Sequence, residues 1–214
     1  MSPKVSQEHM EQRRAEILKA AEEVFIEYGY ERATMKHIMD AANVSRGGLY
    51  QYFASKEAVF EAIMGELLAG ELDDALDMVK ENATSYWDML MKTIFGEDGR
   101  PDDEMDPLAP AKLEYFIIGR NDEHRRAYGK TRYNNGLKLY AQIIEHGQRS
   151  GEFSTRFDHE IIARSIIAFI DGLAVEDAML SKEDLKIKEQ STLFVEYLKM
   201  ALGISEHSSA GNIK

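Results

Sequence analysis

The chain has 214 residues, 44% hydrophobic and 30% charged, with no cysteine. That is enough for a real core in one or two domains, and too ordinary a composition for disorder along most of its length. Without cysteine there is no disulfide framework, thiolate nucleophile, Cys-ligated zinc or iron–sulfur cluster, which fits a cytoplasmic protein. The formal charge of −12 argues at first sight against a polyanionic partner. Residues 1–56, however, balance their Lys and Arg against their Asp and Glu, so the whole deficit lies in residues 57–214. One end of such a chain can approach a polyanion while the rest is repelled.

With only four prolines, and long stretches of Ala, Leu, Met, Glu and Lys, the chain reads as helix almost throughout. In chain order, Ile17, Ala20, Ala21, Val24, Phe25 and Tyr28 mark one apolar face of a first helix that Gly29 terminates. Thr34 caps a two-turn second helix carrying Met35, Ile38, Met39 and Ala42 on its inner side. Asn43 tolerates the left-handed conformation, Val44 plugs the corner, and Ser45 caps a third helix from Arg46 to about Tyr52. Ser55 opens a fourth helix through Val59, Phe60, Ile63 and Leu67 to about residue 69. Further helical patterns cover Leu72 to Phe95, Pro107 to Ile118, Glu123 to Arg149, His159 to Leu180 and Lys182 to Leu202. Gly96 to Pro107 is a polar loop, and Ser205 to Lys214 a polar tail. The longest apolar run, around Ser165 to Ile170, falls far short of the roughly 20 residues a membrane span needs, and Met1 to Met10 lacks the apolar stretch of a secretory leader. The expected fold is all-α: an N-terminal three-helix helix-turn-helix head, then a helical bundle body, about nine helices in total.

The third helix carries the most informative pattern. If Leu49, Tyr52 and Phe53 pack inward, then Arg46, Gly47, Tyr50 and Gln51 face out. Arg can bond bidentately to guanine and Gln to adenine, while tyrosine hydroxyls hold phosphates, so this face suits DNA. Gly47 and Gly48 are each unfavourable in a helix by about 0.8–1.0 kcal/mol relative to Ala, and close approach of the backbone to a groove is one reason to keep them. Thr34 and Ser55 place helix N-termini where phosphates could bind, with Lys36 and Lys56 just beyond. On spacing alone, a helix-turn-helix outline is equally open to a bundle that touches no DNA.

The stretch Thr34 to Lys56, Thr-Met-Lys-His-Ile-Met-Asp-Ala-Ala-Asn-Val-Ser-Arg-Gly-Gly-Leu-Tyr-Gln-Tyr-Phe-Ala-Ser-Lys, resembles the DNA-binding motif of TetR-family transcriptional regulators, and the likeness runs from about Arg14 to Phe60. It implies a dimeric, ligand-responsive regulator, most commonly a repressor. Thr34, Lys36, Ser45, Arg46, Gly47, Tyr50, Tyr52 and Lys56 then correspond to DNA-contacting positions, with Gly48 and Gln51 on the same helix. Asn43 stands where the family usually has Gly, and Gly48 where a Thr or Ser hydroxyl often reaches DNA. The head is taken as residues 1–56 and the ligand-binding and dimerisation region as 57–214.

In that second region Ile161, Ile162, Ile166, Ile167, Phe169, Ile170 and Leu173 make the eighth helix apolar on more than one face, and Ile162, Ile166, Phe169, Ile170 and Leu173 are the ones assigned to a partner. The last helix offers Leu185, Leu193, Phe194, Tyr197, Leu198, Ala201 and Leu202, of which Phe194, Tyr197, Leu198 and Ala201 are assigned to the partner. Two such helices per chain fit a four-helix bundle across a two-fold homodimer, whose recognition helices would address half-sites of a near-palindromic operator about 34–36 Å apart or a multiple of that. Trp87, Met91, Phe95, Tyr115, Phe116, Tyr133, Leu137 and Tyr140 could line an apolar cavity for a small effector of lipophilic or cationic character, or simply pack as core. No Walker loop, Gly-x-Gly-x-x-Gly, Gly-x-Ser-x-Gly or His-Glu-x-x-His occurs, so no catalytic residue, no metal site and no cofactor is expected. The competing reading is a helical ligand-binding or interaction protein that has kept the head without strong DNA affinity.

Overall fold

The computed structural model describes residues 7–65 and 85–204, and every regular element among them is helical. These are α1 (Gln7–Arg32), α2 (Met35–Ala42), α3 (Arg46–Tyr50), α4 (56–65), α5 (Tyr86–Phe95), α6 (Ala109–Ile118), α7 (Glu123–Ser150), α8 (His159–Asp177), α9 (Lys182–Leu185) and α10 (Ile187–Leu202), with a short 3₁₀ turn, Gly119–Asn121, before α7. Packing divides the chain into two compact units. The first comprises residues Met1–Ala69 and Asp106–Arg126, the second Gly70–Met105 and Ala127–Lys214. Compactness thus divides the chain differently from the motif, because α6 packs on α1 rather than with the helices that flank it in sequence.

In the first unit α1 buries Ile17, Leu18, Ala21, Val24 and Phe25. Its regular helix stops at Gly29, which has φ 72 and ψ 170, a region essentially confined to glycine. A Cβ there would lie 2.7 Å from the Glu114 carboxylate of α6, which accepts the Glu31 amide at 2.9 Å. Glycine is therefore required by the backbone turn, and a side chain there would also displace the Glu114 carboxylate from the Glu31 amide. Phe25, Tyr30, Phe60 and Tyr115 form a buried aromatic cluster at the centre of this unit.

In the second unit α5, α7, α8 and α10 share one core, with Leu90, Ile143, Ile144, Ala163, Ile166 and Leu202 fully buried. Residues 72–84 of the predicted Leu72–Phe95 helix lie outside the described residues. Ser85 is extended and caps the following turn, so the helix ending at Phe95 starts at Tyr86. That N-terminus is closed by a distant carboxylate: Glu152 accepts the Ser85 hydroxyl at 3.0 Å and the Tyr86 and Trp87 amides at 2.9 and 2.8 Å. Where one helix was expected over Lys182 to Leu202, Lys186 adopts φ 50 and ψ 49 and splits it into α9 and α10. Leu185 and Ile187 both enter one cluster with Leu173, which positions two apart on an unbroken helix cannot do. Among the described residues no helix is long and apolar enough to cross a membrane.

Candidate nucleic-acid interface

Three short side chains shape the motif. Thr34 Oγ1 accepts the His37 amide at 3.2 Å and starts α2; Asn43, at φ 49 and ψ 51, ends it; Ser45 Oγ accepts the Gly48 amide at 3.1 Å and starts α3. The sharp corner follows from these residues because each satisfies backbone groups that a helix end leaves open. Val44 returns its amide to the Met39 carbonyl at 3.1 Å, and Arg13 of α1 reaches the Asn43 carbonyl at 3.4 Å. The α-helix proper is shorter than predicted, ending at Tyr50, but Gln51, Tyr52 and Phe53 continue its bonding to Gly47 and Leu49.

Leu49 and Phe53 are buried and anchor α3, whereas Tyr52 is only half-buried. Thr34, Lys36, Ser45, Arg46, Gly47, Tyr50 and Gln51 are exposed, and Gly48 is half-buried. The Arg46 guanidinium lies 5.5 Å from the centre of the Tyr50 ring, which holds the two side chains together by a cation–π contact at an exposed site. The two glycines differ. A Cβ on Gly48 would come 3.3 Å from the Ser45 cap oxygen, so the cap itself crowds that position. A Cβ on Gly47 would meet nothing within 4 Å, so no neighbour in the chain explains the absence of a side chain there.

Lys56 stands apart from the other cations of the motif. Its ammonium donates to the Tyr30 carbonyl at 2.6 Å and the Glu31 carbonyl at 3.3 Å, and sits 4.3 Å from the centre of the Tyr30 ring. It neutralises the negative C-terminal end of α1 rather than standing free towards solvent. Burial lowers its pKa, opposed by Glu31 and Glu57. Beside it, burial would raise the Glu57 carboxyl, but hydrogen bonds from its own backbone amide, Tyr30, Arg125 and Ser55 hold it below the usual range. This arrangement was not visible in the sequence, because Arg125 is 68 residues from Glu57.

The residues predicted for an effector cavity fall in both compact units. Tyr115 is fully buried in the aromatic cluster of the first unit, its hydroxyl bonded to Glu61, and is a core residue there; Phe116 packs beside it. In the second unit Met91 and Leu137 belong to the core, while Trp87, Phe95 and Tyr140 pack half-buried against it. Tyr133 is exposed and meets Arg164 through its hydroxyl at 3.3 Å. Of the residues predicted for a partner surface, Ile162, Ile166, Leu173, Phe194 and Leu198 fill this chain's own core, which withdraws them from an exposed face. Phe169, Ile170 and Ala201 are partly accessible and Tyr197 is 53% exposed. The large apolar residues exposed beside them are Ile161 and Leu193, which the apolar pattern of the two helices includes, and Val175, Met179 and Met200, which it does not.

Residues 17–63 match the family described as bacterial regulatory proteins, tetR family, and residues 100–188 match the tetracyclin repressor-like C-terminal domain. The uncharacterized HTH-type transcriptional regulator YfiR of Bacillus subtilis is 31% identical over 208 residues, spanning 96% of this chain and all of that one. The chain belongs to the TetR family of bacterial transcriptional regulators. The HTH-type transcriptional regulator BetI 2 of Chromohalobacter salexigens is 27% identical over 220 residues, covering 99% of this chain and 100% of its own. In fold, the chain resembles a TetR transcription regulator from Haloarcula marismortui, with a TM-score of 0.72 at 23% identity over 90% of this chain and 99% of that one. Family membership identifies the α2–α3 pair as a DNA-binding element and gives the chain a regulatory rather than enzymatic setting.

Proposed function

We propose that this TetR-family regulator is a repressor that binds a near-palindromic operator as a homodimer and is released by a small molecule held in its C-terminal region. Residues 1–56 act as the head, with Arg46 and Gln51 reading base edges. Thr34, Lys36, Ser45, Tyr50 and Tyr52 hold phosphates, and Lys56 secures the end of α1 beneath them. Residues 57–214 serve ligand binding and dimerisation. The observation that carries this reading is Gly47: it is exposed, lies between Arg46 and the capped Gly48, and has open space where a side chain would stand. Helix stability alone favours alanine at such a position, whereas a backbone that must approach a groove closely favours glycine.

The dimer is proposed to form through the exposed faces of α8 and α10. Ile161 and Val175 on the first, and Leu193, Tyr197 and Met200 on the second, leave more large apolar surface than scattered single residues account for. The effector is proposed to be lipophilic and to enter beside Trp87, Phe95 and Tyr140, whose rings are half-buried at the edge of the core. Selection from random double-stranded DNA by the purified protein tests the reading. Two half-sites centred one helical turn or a multiple apart are expected, in inverted orientation. Absence of any enriched sequence at low salt would overturn it.

A further inference from the structure

The first turn of α7 projects Arg125 into the first compact unit, where its side chain is 17% exposed. The guanidinium lies beside two aromatic rings that touch each other edge to face, 5.0 Å from the centre of Tyr30 and 4.9 Å from that of Tyr115. One of its nitrogens donates to the Tyr30 hydroxyl at 3.1 Å and to Glu57 Oε1 at 3.0 Å, and another lies 3.9 Å from the Glu31 carboxylate. A single side chain thereby ties the last turn of α1, the first turn of α4 and the middle of α6 to the start of α7. The surroundings are built to admit it: a Cβ on Gly119 would come 2.3 Å from Arg125 Cδ, so the stem crosses the end of α6 only because residue 119 has no side chain. Asp122 fixes the backbone, accepting the Arg125 amide at 2.8 Å.

Stability alone is a poor reason for this cluster, because a partly buried ion pair loses in desolvation much of what it gains in attraction, and apolar groups of similar shape often replace one without loss. What it supplies is direction. A guanidinium packed against two rings and bonded through one nitrogen to both the Tyr30 hydroxyl and Glu57 restrains the Glu57 carboxylate against the end of α1, and Glu57 follows Phe53, which seats α3, by four residues. Resting on the DNA-binding reading above, we propose that Arg125 is a positioning residue for operator binding: it sets the first turn of α4 against the end of α1 and thereby the presentation of α3, although it touches no DNA itself.

The test uses the full chain with Arg125→Met, which keeps an apolar stem over Gly119, and Arg125→Lys. Amide hydrogen exchange in residues 30–33 and 56–63, melting temperature, and titration against selected operator DNA at several salt concentrations are measured together. For Arg125→Met, faster exchange in both segments is expected with a melting temperature within a few degrees of the parent. Operator affinity should fall by about tenfold or more, as for loss of a charged hydrogen bond, with an unchanged salt slope because no phosphate contact is lost. Arg125→Lys, which keeps the charge but not the planar fork, should lie between the two. Unchanged exchange and affinity in Arg125→Met would overturn the proposal, as would a loss of affinity that merely tracks lost thermal stability. A parent protein that binds no specific DNA would instead overturn the regulator reading, and the exchange data would still decide whether Arg125 holds α4.

Discussion

The α2–α3 corner and the α8–α10 pair both present unpartnered surface, but of opposite kinds. At the corner the buried residues are few, Ile38, Leu49 and Phe53, and what faces outward is a cation, a phenol, an amide and bare backbone. On α8 and α10 the inward side is a continuous core, and the outward side still carries Ile161, Val175, Leu193, Tyr197 and Met200. The first surface suits a hydrated polyanion, the second another apolar surface. Under the proposed function, one chain separates its two partners by the chemistry of its two exposed faces.

Substitutions at paired inward and outward positions should have the largest effects. Ile166→Ala, fully buried in the second unit, should cost about 2–5 kcal/mol, read by denaturant unfolding. Its outward neighbour Ile161→Asp should leave unfolding of the chain nearly unchanged and shift sedimentation from dimer to monomer. In the head, Arg46→Ala should weaken operator binding by about 1–3 kcal/mol and relax preference at one base pair, measured by competition with operator variants. Lys36→Ala should weaken all sequences alike and lower the salt slope by about one.

The effects expected next are smaller and sharpen the account of how each unit is held. Glu152→Ala removes the acceptor for two amides and one hydroxyl at the start of α5 and should cost about 1–2 kcal/mol by thermal melting, with DNA-contact residues untouched. The Glu57 carboxyl titrates below its ordinary value when folded, so it stabilises the protein above the unfolded carboxylate pKa. That contribution is lost as pH falls through the folded value. Glu57→Gln should flatten the acid limb of a stability–pH curve and lower the curve above neutrality by a constant amount, the contribution that the carboxylate no longer makes. Smallest of all, Gly47→Ala should stabilise the chain by about 0.5–1 kcal/mol while weakening operator binding, a pairing of opposite signs that a purely structural glycine would not give.

The head could be read from the sequence because its determinants are local. Thr34, Asn43 and Ser45 each act on backbone groups within five residues, so caps and corner are encoded where they occur. The α6–α1 packing, the Lys56 cap and the Arg125 cluster were hidden because each joins residues far apart: 26 residues separate Lys56 from Tyr30 and 95 separate Arg125 from it. The break at Lys186 was hidden for another reason, since neither glycine nor proline marks it and the burial of Leu185 and Ile187 decides it. Periodicity shows that α8 is apolar on more than one side and that α10 carries an apolar set, but it gives no sign of which side the chain covers itself. The residues first assigned to a partner are therefore mostly the ones that fill its own core.

The most direct test of the central claim, that the exposed face of α3 binds DNA, is a fluorescence titration of the purified protein against the DNA flanking its own gene. Parent and Arg46→Ala would be compared at two salt concentrations. Tight, site-limited binding by the parent is expected, with a steep fall in affinity as salt rises, and a loss of that site preference in the variant with the salt-dependent background retained. Equal binding by the two proteins, or weak binding indifferent to sequence in both, would contradict it.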